Sequence, residues 1–573
     1  MSAALVTTGW QTALLIACVL APLVLALALT VPRARTAVAA LLPWAALPAL
    51  LLALLSGGVP TVEIPWLLLG SLIGLDAIGR LFLLFTALLW LIAGLVLHGG
   101  RGRSTLPAGV AAAWLLTLAG NLWLILAQDV ASLYLAFALM TFAAYGLVVQ
   151  RGDSAARRAG RVYMVFTIVG EVLLFTGLVM AVAVTGVHAL EALPAALAAA
   201  AQRDAILALL IAGFGIKAGL LTLHLWMPRV YPVLSAPAAA VVGGALIHAG
   251  LLGWLRVLPI GEVAAPEWGM LLMTLGLAAA FYGVLVGLTQ DDPKTVLAYS
   301  SLSQMGYLAW GVGAALYLPV LAPVAVTALL IFATHHALAK GALFLIVGLA
   351  EAGAPRARRL ALAAAALPAL ALAGAPFTSG AYAKLALKPV VAALPEPWPG
   401  ALAVLLPLAA VGTTLLMARF LVALAAQPAT GANAWRDTGV YLALLLLVIA
   451  VWPYAADPSA RGWAFGPTLA ALWPVALGAV AAGFGWRLRA RLPRLRVPPG
   501  DLLVPLASLG QAVARRVRGW PLSPPRVPIE PVPPSPRERH RLAAAERAMA
   551  RWSLAGPVWL ALVLLLIGLL AVG

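Results

Sequence analysis

Ionisable side chains stand inside long apolar stretches at several places in this sequence. Asp76 and Arg80 lie in 68–98, Glu171 in 162–184, Lys217 and His224 in 204–226, and His248 in 235–258. His335, His336 and Lys340 share 319–350, and Lys384 lies in 358–385. A charge at bilayer depth is costly and faces a polar interior or a water path. The residue types suit proton transfer. A buried lysine's hold on its proton responds to a neighbouring carboxylate, so moving that carboxylate loads or unloads it. Histidine titrates near neutrality and passes a proton between its two nitrogens.

Plainer readings stand beside this one. Asp76 and Arg80 are four apart on one helix face, which suits an intrahelical ion pair. His224 sits beside Trp226 and Pro228, where an interface anchor would also fit. Lys384 follows Gly374, Pro376 and Gly380, which break a helix, and its long stem suits snorkelling to the surface. Lys217 lies mid-stretch with apolar neighbours and has no such route to water. His336 and Lys340 share a helix face; without a carboxylate or cysteine beside them, no metal site is expected.

The elements that must hold these groups are membrane helices. The chain is 64% hydrophobic and only 10% charged, far from the roughly one quarter charged of soluble domains. Apolar runs of about 20 residues, enough to cross a hydrocarbon core, recur about sixteen times. They cover 9–31, 36–57, 68–98, 106–127, 129–149, 162–184, 204–226, 235–258, 267–289, 295–314, 319–350, 358–385, 401–425, 438–455, 466–486 and 554–572. The first lacks a basic leader and reads as a retained helix. The net charge of +18 reads as loop and headgroup chemistry, with lipid as partner and no nucleic acid. Arg33, Arg101, the segment from Arg151 to Arg161, Arg229, Lys294, Arg356, Arg436 and the segment from Arg487 to Arg496 all follow odd-numbered spans. One side therefore collects the basic loops. The positive-inside rule makes it the cytoplasm and puts the N-terminus outside, in a bacterial-type inner membrane.

The region 488–553 is rich in Pro and Arg and reads as a cytoplasmic-side interfacial segment, with amphipathic stretches at 502–520 and 537–553. The single cysteine, Cys18, rules out an internal disulfide and an ordinary cysteine-ligated cluster. No nucleotide, flavin or iron–sulfur motif is visible, so no cofactor is expected, and no catalytic centre belongs to this chain.

The buried residues fall within recognisable runs. The stretch Lys217-Ala-Gly-Leu-Leu-Thr-Leu-His224-Leu-Trp226-Met-Pro228 resembles the K-x-A-x-x-P-x-H-x-W-L-P signature of the antiporter-like, proton-conducting membrane subunits. These occur in respiratory complex I, multisubunit cation/proton antiporters and membrane-bound hydrogenases. Gly244-Ala-Leu-Ile-His248-Ala-Gly250 is similar to the family's next helix, with His248 where many members carry lysine. Asp291-Asp-Pro-Lys294 through Tyr299-Ser-Ser-Leu-Ser-Gln304-Met-Gly-Tyr307 resembles D-x-K-x-x-L-A-Y-S-S-x-S-Q-M-G-Y. His336-Ala-Leu-Ala-Lys340-Gly-Ala-Leu-Phe344 resembles H-A-x-x-K-x-x-L-F, and Gly374 to Lys384 resembles G-x-P-x-x-x-G-x-x-x-K. Together they cover roughly residues 70–390 in order.

The resemblance implies an all-α polytopic fold with two inverted five-helix repeats, at 106–258 and 267–425, each with a broken helix. N-terminal helices at 1–105, further helices at 438–486, the interfacial segment and a last span at 554–572 surround them. It implies a proton- or cation-translocating subunit of a larger energy-coupling complex, such as a complex I-like quinone oxidoreductase, with membrane or soluble partner subunits. Alternatives are a subunit coupling an ion gradient to a soluble partner, as in inorganic-carbon accumulation modules, and a scaffold that does not conduct. The expected path runs from Lys217 and His248 through Lys340 and His336 to Lys384. His335, Glu171, His224 and Lys294 lie along it, and Asp76 and Arg80 form a structural pair. Two departures stand out. The family's glutamate on the fifth span is Ala138 here, which makes Glu171 the candidate partner of Lys217. The proline after the lysine is Thr222, which predicts a softer helix break.

Overall fold

A computed structural model describes residues 2–56, 59–65, 67, 70–99, 106–352, 355–427, 472–488 and 497–500. The expected spans at 438–455 and 554–572, the interfacial stretches at 502–520 and 537–553 and the loop at 101–105 lie outside the described residues. Among the described residues, ten helices are long and apolar enough to cross a membrane, from Gly9–Ala28 to Trp398–Ala425. The chain is a multi-pass, all-α membrane protein. Leu472–Leu488 is a shorter apolar helix.

Three expected spans differ from simple apolar rods. The span at 204–226 is a helix only over Arg203–Ala218. The span at 358–385 is a helix over Pro355–Ala373 and a second piece, Ser379–Ala386. The span at 68–98 starts as a strand, Ser71–Leu75, antiparallel to Val59–Ile64, and becomes helical only from Ala77–Gly99. Asp76 stands at that junction and accepts from the Gly79 N–H at 2.6 Å, satisfying one of the free donors of the helix start. Asp129 ties the same end of the bundle together. Its carboxylate accepts from Ser132 N, capping the helix Val130–Val149, and from Leu72 N of the strand.

Helices in a bilayer gain little from apolar contact alone, so close approach through small residues matters. Helices Pro266–Gly287 and Pro293–Tyr317 show this. Gly269, Gly276 and Gly283 recur every seven residues on the first helix and meet Gly313, Gly306 and the Tyr299 carbonyl on the second. A Cβ on Gly276 would stand 2.5 Å from the Gly306 carbonyl oxygen, so the two backbones touch directly. This tight pair holds the polar face of Pro293–Tyr317, including Ser300, Ser301 and Gln304, fully buried in the bundle.

Candidate functional site

The helix Arg203–Ala218 ends one residue after Lys217. Gly219 takes the left-handed conformation (φ 72°), and the Leu220 N–H returns to the Gly215 carbonyl at 2.8 Å. This is a Schellman ending, and it stops the helix fully. Thr222 then also adopts a positive φ of 76°. The expected softer break is therefore wrong: the left-handed glycine, not a proline, terminates the helix. Trp226 folds back and donates its indole N–H to the Ile216 carbonyl at 2.8 Å.

The second break repeats the same backbone pattern. Gly374 is left-handed (φ 86°), the Ala375 N–H returns to the Leu370 carbonyl at 3.0 Å, and Phe377 has φ 61°. In both places a left-handed glycine is followed three residues later by a second positive-φ residue. Thr378 then starts the next piece, its hydroxyl accepting from Ala381 N.

Lys217 is 5% exposed. Its ammonium lies 5.7 Å from the ring centres of both Tyr163 and Trp226, and 3.5 Å from the Tyr163 hydroxyl. Glu171 projects from the long helix Ser154–Thr185 into the same small cavity, of about 20 Å³, which Thr141 and Tyr163 also line. That volume accommodates about one water molecule. Glu171 Oε1 meets Thr141 Oγ1 at 2.5 Å, while Oε2 is buried without a hydrogen-bond partner among the described residues. Glu171 and Lys217 interact electrostatically across this cavity without a direct ion pair within 4 Å.

His248 follows a π-helical turn, Val242–Leu246, of the kind found often at functional sites. His248 Nδ1 lies 2.8 Å from the Gly244 carbonyl, so that nitrogen carries the proton. Nε2 is then an acceptor, and His336 Nδ1, 3.1 Å away, donates to it. These partners assign both tautomers. Among the described residues, His336 Nε2 is left as a buried acceptor without a partner, as is His335 Nε2 if Nδ1 donates to Ser379 Oγ at 2.8 Å. Lys340, one turn beyond His336 and fully buried, donates to the Leu297 carbonyl at 2.9 Å. Ser300 Oγ and Gln304 Oε1 are further buried polar atoms without partners among the described residues. Buried polar atoms are normally satisfied by protein or ordered water.

Lys384 does not snorkel. Its ammonium donates to the Leu372 and Ala373 carbonyls, at 3.2 and 2.8 Å, and lies 5.8 Å above the Tyr307 ring. His224 is fully buried between Tyr282 and Tyr299, which overturns the interface-anchor reading. Lys294 pairs with Glu351 at 2.9 Å and donates to the Leu234 carbonyl. Asp76 and Arg80 do not form the expected pair. Asp76 pairs with Arg256 at 3.1 Å, and Arg80 Nε donates to the Ala53 carbonyl. The reason is the strand: Asp76 sits before the helix, not within its face.

Sequence reasoning missed Arg256, Thr141, Tyr163 and Ser379. Arg256 lies on the same helix as His248 and was hidden by its position near a span end. Thr141 and Ser379 are ordinary hydroxyls whose partners are 30 and 44 residues away.

Residues 127–406, about half of the chain, match the family described as NADH:quinone oxidoreductase/Mrp antiporter, TM. Those residues belong to this antiporter-like membrane family. Hydrogenase-4 component B of Escherichia coli is 31% identical over 220 residues, covering 37% of this chain and 33% of that protein. A Na(+)/H(+) antiporter subunit of Alkalihalophilus pseudofirmus is 28% identical over 285 residues, covering 47% and 57%. The chain thus matches between a third and just over half the length of these curated relatives. The Mrp complex from Dietzia sp. DQ12-45-1b contains a chain with the same fold, at TM-score 0.68 and 24% identity, covering 94% of this chain and 62% of that one. Every buried lysine and histidine above lies within the family match.

Proposed function

We propose that this antiporter-like chain translocates protons, or another cation, as one subunit of a multisubunit membrane complex in a bacterial-type inner membrane. The observation that carries the reading is Lys217: a buried amine at the end of a broken helix, sharing a water-sized cavity with Glu171. Their charges see each other without being locked in a contact pair, so the lysine can exchange its proton as the carboxylate's charge changes. His248 and His336 continue the route, because their bond joins the helix His248–Val257 to the helix Ala322–Ala352. Lys340 extends it, and Lys384 ends it through His335 and Ser379. His224 and Lys294 lie toward the side assigned to the cytoplasm by the basic loops, with the N-terminus outside.

In this reading the two broken helices belong to two inverted repeats, 106–258 and 267–425. The matching left-handed glycines support that correspondence. Broken helices in matching halves point to an ion path. Glu171 takes the part of the carboxylate absent at Ala138. The E. coli hydrogenase component and the A. pseudofirmus antiporter subunit are by name parts of larger assemblies, which supports partner subunits for this chain.

The test is the Lys217→Ala variant, assembled with its co-purifying subunits and assayed for ion-coupled ΔpH in sealed vesicles. Coupled transport should disappear while the assembly stays intact. Transport at the wild-type rate would overturn the assignment.

A further inference from the structure

Thr141 sits one turn along from Ala138 on Val130–Val149, and its hydroxyl faces three oxygens. Phe137 O is 2.9 Å away, Ala138 O is 3.1 Å away, and Glu171 Oε1 is 2.5 Å away. A threonine has one hydroxyl hydrogen and can also accept. One hydrogen cannot serve all three oxygens, so the arrangement has two complete solutions. With Glu171 ionised, the hydroxyl donates to Oε1. With Glu171 protonated, the acid donates to Oγ1, and the hydroxyl turns back to the Phe137 carbonyl.

We propose that Thr141 is a positioning residue for Glu171, a rotating hydroxyl that holds the carboxyl group in one place in both of its protonation states. The proposal rests on Glu171 being the partner of Lys217. The backbone of the same residue strengthens the geometry, because the Thr141 carbonyl accepts from the Tyr163 hydroxyl at 2.8 Å. Tyr163 in turn meets the Lys217 ammonium at 3.5 Å. Thr141 therefore touches the carboxyl directly and the amine through one tyrosine. Lys217 from Arg203–Ala218 is the charge that acts on Glu171, and Glu171 acts in turn on Tyr134 from Thr141's own helix and on Tyr163 from the glutamate's own helix. Thr141 carries no charge and adds none in either state. A carboxylate or lysine at this place would favour one state over the other, whereas a hydroxyl serves both. Position 138 is an alanine, and the hydroxyl that meets Glu171 stands one turn later on the same helix.

Difference infrared spectroscopy on the full chain in lipid, across a pH titration, tests this without any transport measurement. Glu171→Gln identifies the carboxyl band by removing it. Thr141→Val, nearly the same shape without the hydroxyl, should shift the protonated-acid band toward a free acid and shift the ionised carboxylate band as well, because one hydrogen bond is lost in each state. Thr141→Ser should restore both bands. Bands unchanged in Thr141→Val overturn the proposal; so does a shift confined to one protonation state, and so does Thr141→Ser behaving like Thr141→Val. Transport that survives Lys217→Ala with the infrared result intact would remove the functional reading and leave the Thr141–Glu171 device standing.

Discussion

Arg256 offers the sharpest energetic test of how this bundle is held. It is 5% exposed. Its guanidinium donates to the Leu124, Ile125 and Ala127 carbonyls at 3.2, 2.7 and 2.6 Å, and to Asp76 at 3.1 Å. The three carbonyls belong to the end of the helix Ala108–Leu126, where the last turn has no internal donors and the helix dipole is negative. Asp76 begins the helix Ala77–Gly99. One cation therefore joins three helices. Replacing it with alanine orphans three carbonyls, each worth about 1–3 kcal/mol when left buried and unpaired. Relaxation and partners found in the unfolded membrane state lower the sum, so Arg256→Ala should cost about 3–5 kcal/mol, the range for breaking a buried pair. Asp76 is different. Its side chain is 39% exposed, and asparagine keeps an oxygen for the Gly79 N–H. Asp76→Asn should cost about 1 kcal/mol or less, as for a partly exposed pair. Thermal unfolding in detergent, followed by near-ultraviolet circular dichroism, reads both. Equal losses in the two variants would refute the carbonyl clamp and make the ion pair the dominant contact. Arg256 also lies two turns beyond His248 on one helix, so its loss should loosen the His248–His336 bond and lower transport in step with stability.

Two further outcomes follow from other parts of the fold. Gly276→Leu should prevent the helices Pro266–Gly287 and Pro293–Tyr317 from meeting, because even a Cβ stands 2.5 Å from the Gly306 carbonyl; overpacking of this kind costs about 1–3 kcal/mol or more, and the folded yield in detergent should fall while Gly109→Ala, where none of the described residues lies within 4 Å, leaves it unchanged. Asp153, just before the helix Ser154–Thr185, is held below the usual carboxylate range by the Ala156 N–H first and then by Arg151 and Arg157. A lowered folded-state value means its cap is fully present above the ordinary carboxylate pKa and is lost as pH falls through the folded value; hydrogen exchange at 154–157 should therefore accelerate in acid, and Asp153→Asn should remove that dependence.

The membrane class, most of the helices and the polar residues of the interior were legible because hydrophobic length and the cost of buried charge are local properties of a sequence. Lys217, His248, His336 and Lys340 stood out for that reason, and the structure buries all four. Partners were much harder to read. Asp76 looked like the mate of Arg80 because four residues separate them, yet a strand at Ser71–Leu75 moves Asp76 off the helix, toward Arg256, 180 residues away. The helix breaks fall at Gly374 and just after Lys217, as the motifs imply, but the missing proline at Thr222 misled. Left-handed glycine stops a helix as firmly as proline does, and Gly219 was in view. Hydroxyl partners such as Thr141 and Ser379 carry no pattern of their own, because their meaning depends on which distant helix they meet.

The two lysines at the breaks reach the same kind of place by different routes, and this sets them apart experimentally. Lys217 belongs to the last turn of its helix, and its ammonium faces Tyr163, Trp226 and the cavity beside Glu171. Lys384 belongs to the piece after the break and reaches back to the Leu372 and Ala373 carbonyls at the end of the first piece. Those carbonyls would otherwise lack donors, so Lys384 also acts as a helix cap. Removing it should cost stability as well as transport: Lys384→Met orphans two carbonyls, about 1–3 kcal/mol each before relaxation. Lys217→Met removes an amine that, among the described residues, no backbone carbonyl holds, so the fold should be nearly unchanged and only transport lost. Thermal unfolding and vesicle ΔpH measured on the same preparations separate these outcomes. If Lys217→Met destabilises as much as Lys384→Met, the first lysine is a structural plug, and its freedom to exchange a proton, on which the proposed path depends, is gone.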